Sequence, residues 1–527
     1  AHFRINNALF TTVRLKGIDY TYDRRTGSPI ASFTVSSSYS PVATDVNHRL
    51  GHFMASESQT NPAQRDFDDT INEFRFDGKW NDGGDISLFG GLGYSSRTKE
   101  TKGYTEPNAC AYCGSDVLLP ASLFKPTTYN FFGGAGGNTS NWVDYDTDAL
   151  FAALQTLNTT ANPAQHNGSL LPIEVDPAAS SSVNEKVVTA YLMTEFKGNV
   201  GSMPFAINTG FRVESTGFTS DGMGQTVLSA KPNGTGQNDI VLSGLTPLHF
   251  SGHYTDILPS INARLNLSDS LVLRAAASRV ASRPTLTDLS PAQAITSNPG
   301  NERISRGNPD LSPFRASQFE FGLESYFNAD SLASATLFYK SIDSFITRGV
   351  SSLQVDQVKF ILDQPVNGKG ASVQGLELSY RTIFSKLPGP FDGLGTQVSY
   401  TYTDSNADYA NPLIAGVSHY SLAGLSKNSF TFVGFYEKGP MQARVSYTWR
   451  DHYLVAPQTQ TGVPEFNDKY YQLDAGVQFS ITSKIMLTLD AINLTDSKEF
   501  TYANVIGNTQ SYRDAGRRYT LGARVKF

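Results

Sequence analysis

Two cysteines, Cys110 and Cys113, stand in the order Cys-Ala-Tyr-Cys. Thiols at that spacing can close a small disulfide loop, act as a redox pair, or supply half of a zinc site. A redox pair of this kind belongs to a βαβ setting, and zinc needs a second Cys/His cluster. The sequence offers neither nearby. The pair therefore reads as a disulfide at a loop tip in an oxidising compartment, with a free or metal-bound pair as the alternative. His249, His253 and Tyr254 lie close together and could touch a ligand; an interfacial aromatic girdle uses the same residue types. Asp66, Asp68 and Asp69 could hold a cation at a loop base or form a solvated acidic patch. Tyr104, Tyr112, Tyr129, Phe131, Phe132, Trp142 and Tyr145 crowd one long segment. Their flat faces suit sugar rings or aromatic chelates, and they would equally pack that segment against its neighbours. Gly133-Gly134-Ala135-Gly136-Gly137 lacks the Lys-Ser/Thr that completes a phosphate-binding loop. There is no nucleophile elbow and no His-Glu-x-x-His string, and the 8 histidines are scattered. No catalytic residue, metal site or cofactor is expected, and the chain does not read as an enzyme.

The elements that must carry these residues alternate with period two. Ile261, Ala263, Leu265 and Leu267 oppose Asn262, Arg264, Asn266 and Ser268. Met441, Ala443, Val445, Tyr447 and Trp449 oppose Gln442, Arg444, Ser446, Thr448 and Arg450. Tyr471, Leu473, Ala475, Val477, Phe479 and Ile481 oppose Gln472, Asp474, Gly476, Gln478 and Ser480. Such alternation marks half-buried strands. The segments are long, as strands that cross a bilayer at a tilt must be, at about 9–11 residues. Short turns such as Asn81-Asp82-Gly83-Gly84 and Lys438-Gly439-Pro440 alternate with long connections near 23–68, 97–183, 219–252, 283–313, 349–369, 405–424, 457–467 and 501–514. That asymmetry belongs to outer-membrane barrels, with tight periplasmic turns and long external loops. About 16 strands result, near 9–22, 70–80, 85–97, 186–198, 203–217, 254–268, 270–282, 315–328, 331–347, 371–385, 393–404, 427–437, 440–454, 469–481, 484–498 and 516–527. The fold class is all-β: a transmembrane antiparallel β-barrel forming one domain over 1–527, with 97–183 as a long extracellular loop insertion.

Composition agrees. In 527 residues, charged side chains are 17% against the roughly 25% of soluble domains, yet hydrophobic residues reach only 39%. Small polar residues fill the difference, as a wall with one greasy and one wet face requires. No run of apolar residues is long enough for a membrane helix. A net charge of −6 without a basic stripe excludes nucleic acid as a partner.

The last strand alternates Tyr519, Leu521, Ala523, Val525 and Phe527 against Thr520, Gly522, Arg524 and Lys526. With its Tyr519, Gly522, Val525 and final Phe527 it looks like the recognition signal of the barrel assembly machinery. Further strings resemble TonB-dependent receptors, in particular the branch of Caulobacter-like and Xanthomonas-like bacteria. They are Leu258-Pro259-Ser260-Ile261-Asn262, Ser282-Arg283-Pro284-Thr285-Leu286, Gly307-Asn308-Pro309-Asp310-Leu311, Phe338-Tyr339-Lys340, Gly375-Leu376-Glu377-Leu378, Ile492-Asn493-Leu494-Thr495-Asp496 and Gly516-Arg517-Arg518-Tyr519. The resemblance implies a barrel of about 22 strands in the outer membrane of a Gram-negative bacterium, amid its lipid and lipopolysaccharide. It also implies an N-terminal plug and TonB box that this sequence lacks, so the chain is expected to be the C-terminal part of a longer receptor. The implied activity is import of a scarce small molecule, energised by the TonB–ExbB–ExbD complex. Carbohydrate is slightly favoured over a siderophore or other metal chelate. A passive porin and an adhesin or phage receptor are the alternatives.

Overall fold

The computed structural model describes residues 65–105 and 174–526, apart from short breaks at 234–237, 297–299, 301, 329, 412–415 and 460–462. Elsewhere it describes only the strand backbones Ile18–Thr21, Ser32–Val35, Phe124–Asn130 and Asn138–Tyr145 and two single residues. The chain divides into two compact units, residues 68–99 with 181–527, and residues 1–67 with 100–180.

Among the described residues fifteen long strands form the wall: β1 Arg65–Asn81, β2 Ile86–Thr105, β3 Glu174–Val200, β4 Met203–Gly224, β5 Thr246–Asn266, β6 Leu271–Ser282, β7 Phe314–Asn328, β8 Ser331–Val355, β9 Ala371–Ile383, β10 Leu394–Asn411, β11 Asn428–Lys438, β12 Met441–Arg450, β13 Tyr470–Ser480, β14 Ile485–Ile492 and β15 Arg518–Val525. Each is hydrogen-bonded to the next, and the strand order closes from β15 to β1. Among the described residues the only helical turn of any length is Phe391–Gly393. Of the expected strand near 9–22, only Ile18–Thr21 is described, and it pairs with Ser32–Val35 and not with the wall.

Alternation places the apolar residues outside. Val445 is 43% exposed, Val477 37% and Leu521 80%, and Leu192, Phe211, Ile257, Phe321 and Leu337 are exposed on neighbouring strands. A soluble monomer does not present so continuous an apolar surface to water; lipid must cover it. The polar partners Arg444, Ser446 and Asp474 line the lumen side. A bilayer crossing takes about 10 residues. The parts of β3, β4, β5, β8 and β10 farther than that from their short turns therefore rise above the membrane, and this is why those strands run well past their expected ends.

Two strands end sooner than alternation suggests. β14 stops at Ile492 because Asn493 takes a left-handed conformation (φ 58°). Its amide bonds Asp474 Oδ1 at 2.8 Å, and its side-chain nitrogen donates to the carbonyls of Ser497 and Gly516. The chain then enters Lys498–Ala503, which joins Tyr453–Ala456, Glu465–Asn467 and Thr509–Asp514 in a separate four-stranded external sheet. β12 likewise ends at Arg450, before the external strand Tyr453–Ala456. The wall also divides beside β5. The β4–β5 ladder runs from Thr246 to Leu265, but the β5–β6 ladder begins only at Ser260. The adjoining Pro259 has no N–H to give a second neighbour.

Candidate functional site

The lumen face changes character with height. Near the short turns it is polar. A cavity of about 860 Å³ there is lined by Arg381, Gln397, Gln442, Arg444, Asp474 and Asp490, among others. Toward the external end the inward residues become apolar and are covered by connecting segments folded against them. Ile342, Phe345, Val373, Ala407 and Tyr409 pack with Leu454. The Tyr409 ring meets Phe345 edge-on at 5.3 Å, and its hydroxyl accepts from the Ala423 amide at 3.0 Å.

The segment 283–313 is held most elaborately. Leu286, Leu289 and Leu311 are buried against Val183 of β3 and Phe218 of β4, each contributing about 1.5–3 kcal/mol if its apolar surface is fully removed from water. Ser220 Oγ donates to the Leu289 carbonyl at 2.7 Å, and Lys99 Nζ to Thr287 Oγ1 at 2.7 Å. Gly307 permits a backbone crossing: a β-carbon there would lie 2.3 Å from the Ser290 carbonyl oxygen. The next amide, Asn308, bonds the Asp288 carbonyl at 2.6 Å, and the Asn308 side chain donates to the Pro365 carbonyl at 3.0 Å. The segment thus spans from the wall to the external hairpin containing Val358–Gly368.

Charge fixes both ends of the segment. Glu214 and Asp256 stand directly opposite each other on β4 and β5, a juxtaposition that repels unless cations intervene. Arg283 reaches Glu185 at 3.2 Å and Glu214 at 3.0 Å, Arg212 reaches Glu214 at 3.4 Å, and Arg315 bonds Asp256 at 2.5 Å. Three guanidinium groups balance three carboxylates. Glu185 lies above the membrane-spanning part of β3. Burial pushes its carboxyl up, while Arg283 pulls it down. Burial also pushes the Tyr254 phenol up, reinforced by the Glu185 charge, and the Arg315 guanidinium lies 5.8 Å from the Tyr254 ring centre. In the external hairpin, hydrogen bonds from Ser229 and the Ala230 amide hold the Asp356 carboxyl below its ordinary range.

The residues singled out from the sequence are dispersed. His249 and His253 share the outward face of β5, and Tyr254 lies on the inward face, as their adjacency on a strand requires. His249 Nδ1 lies 2.5 Å from Asp221 Oδ1. Asp68 and Asp69 point to opposite faces of β1 for the same reason; Asp69 is paired with Arg97, and Asp66 accepts from the Tyr104 hydroxyl at 2.6 Å. These three aspartates do not form a cation site, and no cluster of metal-binding side chains occurs among the described residues. Tyr519 and Val525 face outward and Gly522 inward on β15. Cys110, Cys113, Tyr112, Phe131, Phe132 and Phe527, and the side chains of Tyr129, Trp142 and Tyr145, lie outside the described residues. Sequence reasoning missed Glu185, Glu214, Asp256, Arg283 and Arg315. The available clue was the leucines of 283–313, which a solvated loop has no use for.

Fold and lumen together define a transmembrane barrel with connecting segments packed against the external part of its inner wall. A sequence profile described as TonB dependent receptor-like, beta-barrel, matches residues 2–494. The chain belongs to the TonB-dependent receptor β-barrel family. No curated protein matches it. Among solved structures it is similar to the siderophore receptor PiuA from Acinetobacter baumannii, with a TM-score of 0.52 and 14% identity over 88% of this chain and 56% of that one. The closed form of the ferric-catecholate import receptor Fiu from E. coli K12 gives 0.52 and 15% over 88% and 55%. The copper transporter OprC gives 0.51 and 13% over 88% and 57%. At such identity these likenesses concern the fold alone. The chain spans little more than half the length of the solved structures it resembles.

Proposed function

We propose that the chain is the barrel of an outer-membrane receptor that imports a scarce solute, with energy delivered by TonB–ExbB–ExbD through a plug carried by the whole receptor. The observation that supports this reading is the set of connecting segments packed against the inner wall at its external end. A diffusion porin has no need of so extensive a lining, whereas here Leu286, Leu289, Tyr409 and Leu454 are withdrawn from water in packed segments. The quoted sequence strings favour the Caulobacter- and Xanthomonas-type branch. The leaning toward carbohydrate rests on that branch resemblance alone. The similar solved structures are named as siderophore and copper proteins, so a metal chelate is the solute class to test first.

The full-length receptor in planar bilayers is expected to show no large constitutive conductance, and cells carrying it are expected to accumulate its solute only while TonB and the proton-motive force are intact. A large steady conductance, or uptake unaffected by loss of TonB, would replace this reading with that of a porin.

A further inference from the structure

One stretch of the wall is hydrogen-bonded on a single side. β5 pairs with β4 from Thr246 to Leu265, but with β6 only from Ser260 inward. Among the described residues, no element other than β4 hydrogen-bonds to the main chain of 247–259. Pro247 and Pro259 show which groups are left over. Proline has no N–H, and a strand turns the N–H and C=O of successive residues to opposite sides. In a ladder without a register shift, both prolines therefore face away from β4. Residues of the same parity between them do the same: His249, Ser251, His253, Thr255 and Ile257. Their side chains are exposed on the outer face. A crossing of about 10 residues, counted from the turn at 267–270, ends near Ile257, so the open edge stands in water just outside the membrane.

Exposed edges are commonly blunted by lysine, proline or a bulge. Between Pro247 and Pro259 this edge has none of the three. On the inner side of the same stretch, Leu248 and Phe250 wall a cavity of about 220 Å³ with Pro291, Gln293, Arg306 and Pro309.

We infer that this edge receives an extended segment of another protein at the cell surface, added antiparallel to β5 in the line that β6 follows lower down. In strand addition, main-chain hydrogen bonds supply affinity and pockets for alternate side chains supply selectivity. The open N–H and C=O groups recur about every 7 Å, a spacing that another strand matches. Inward side chains of the added strand lie beside Phe250, and the cavity there selects an apolar one. Outward side chains meet water beside Ser251 and Thr255 and are polar. A second copy of this chain does not fit the edge. Barrel strands tilt by about 35–45°, so β5 strands of two copies related by an axis along the membrane normal would cross at about 70–90° and could not lie side by side. A solute bound for the lumen has no use for an edge in the wall, whereas a partner that stays at the surface does.

The test uses the whole receptor in detergent micelles and a nonapeptide of alternating valine and threonine with phenylalanine at the central valine position. Without peptide, amide hydrogen exchange should be fast at Ser251 and Thr255 and slow at Gly252 and Tyr254. With peptide, Ser251 and Thr255 should slow by about tenfold or more, as new main-chain hydrogen bonds require. Ser251→Pro and, separately, Thr255→Pro remove an N–H from the open side and leave the ladder with β4 intact. Each should weaken the peptide, followed by fluorescence anisotropy, by about tenfold. N-methyl groups on the peptide residues facing β5 should do the same, and N-methyl groups on the alternate residues should not. Heat-modifiable gel mobility confirms that each variant remains a barrel. Slow exchange at Ser251 and Thr255 without peptide, no slowing on its addition, or undiminished binding by both folded proline variants would overturn the inference. Receptor dimers dissolved by Ser251→Pro would also overturn it, by giving the edge to a second copy.

Discussion

Arginine in place of Val445 will cost the folded barrel about 2–4 kcal/mol in bilayers, the amount expected for a cation placed near the hydrocarbon midplane. Arginine in place of the adjacent Ser446 will cost little. Val445 is the midpoint of β12 and is 43% exposed on the outer face. Ser446 lines the wet cavity beside Arg444 and Asp474. The two variants carry the same added charge one residue apart, so β-propensity and net charge largely cancel in the comparison. Denaturant titration of the barrel refolded into phosphatidylcholine vesicles gives both values. Equal losses at the two positions would mean that the two faces of β12 do not meet different solvents.

Valine at Gly307 should free the segment 283–313 from the mouth. Its β-carbon would approach the Ser290 and Asp288 carbonyl oxygens to 2.3 and 2.7 Å. Both are backbone atoms that cannot swing aside as a flexible side chain would. Overpacking of this kind costs about 1–3 kcal/mol, and here the strain is relieved by releasing Leu286, Leu289 and Leu311. Amide hydrogen exchange at Leu289 and Asn308 should accelerate by about 5- to 150-fold, the same energy expressed as a local opening equilibrium. Alanine at Gly244, where an added β-carbon would meet nothing within 4 Å, should leave those amides unchanged. If solute binds where these segments pack against the wall, the Gly307→Val receptor will also lose affinity while its membrane-embedded strands keep their protection.

The wall was legible in the sequence because its two faces meet solvents of opposite character, and that contrast repeats at every second residue. Ile261/Asn262, Val445/Ser446 and Val477/Gln478 each display it, and the short turns at Asn81–Gly84 and Lys438–Pro440 mark one rim. What lies above the membrane was not legible in this way. There both faces meet water or protein, so alternation no longer separates them. The expected strand 484–498 therefore overran Asn493, whose left-handed backbone is stabilised by hydrogen bonds with Asp474, Ser497 and Gly516, distant or irregular partners that no local pattern reveals. The ion-pair cluster failed to stand out for a related reason. Glu185, Glu214, Asp256, Arg283 and Arg315 come from β3, β4, β5 and the two ends of one connection, and only the sheet register brings them together. The strings containing Arg283 and Gly307 were visible as a family resemblance, but their work in anchoring 283–313 is a property of contacts.

The central claim is that β13 separates lipid from water. Nitroxide spin labels attached at Val477→Cys and at Gln478→Cys, in the full chain reconstituted into vesicles, measure this through collisions with oxygen, which concentrates in lipid, and with a water-soluble nickel chelate. The label at 477 should be relaxed by oxygen and the label at 478 by nickel. Two labels with the same preference, or both shielded from either reagent as in a dry protein core, would contradict the account.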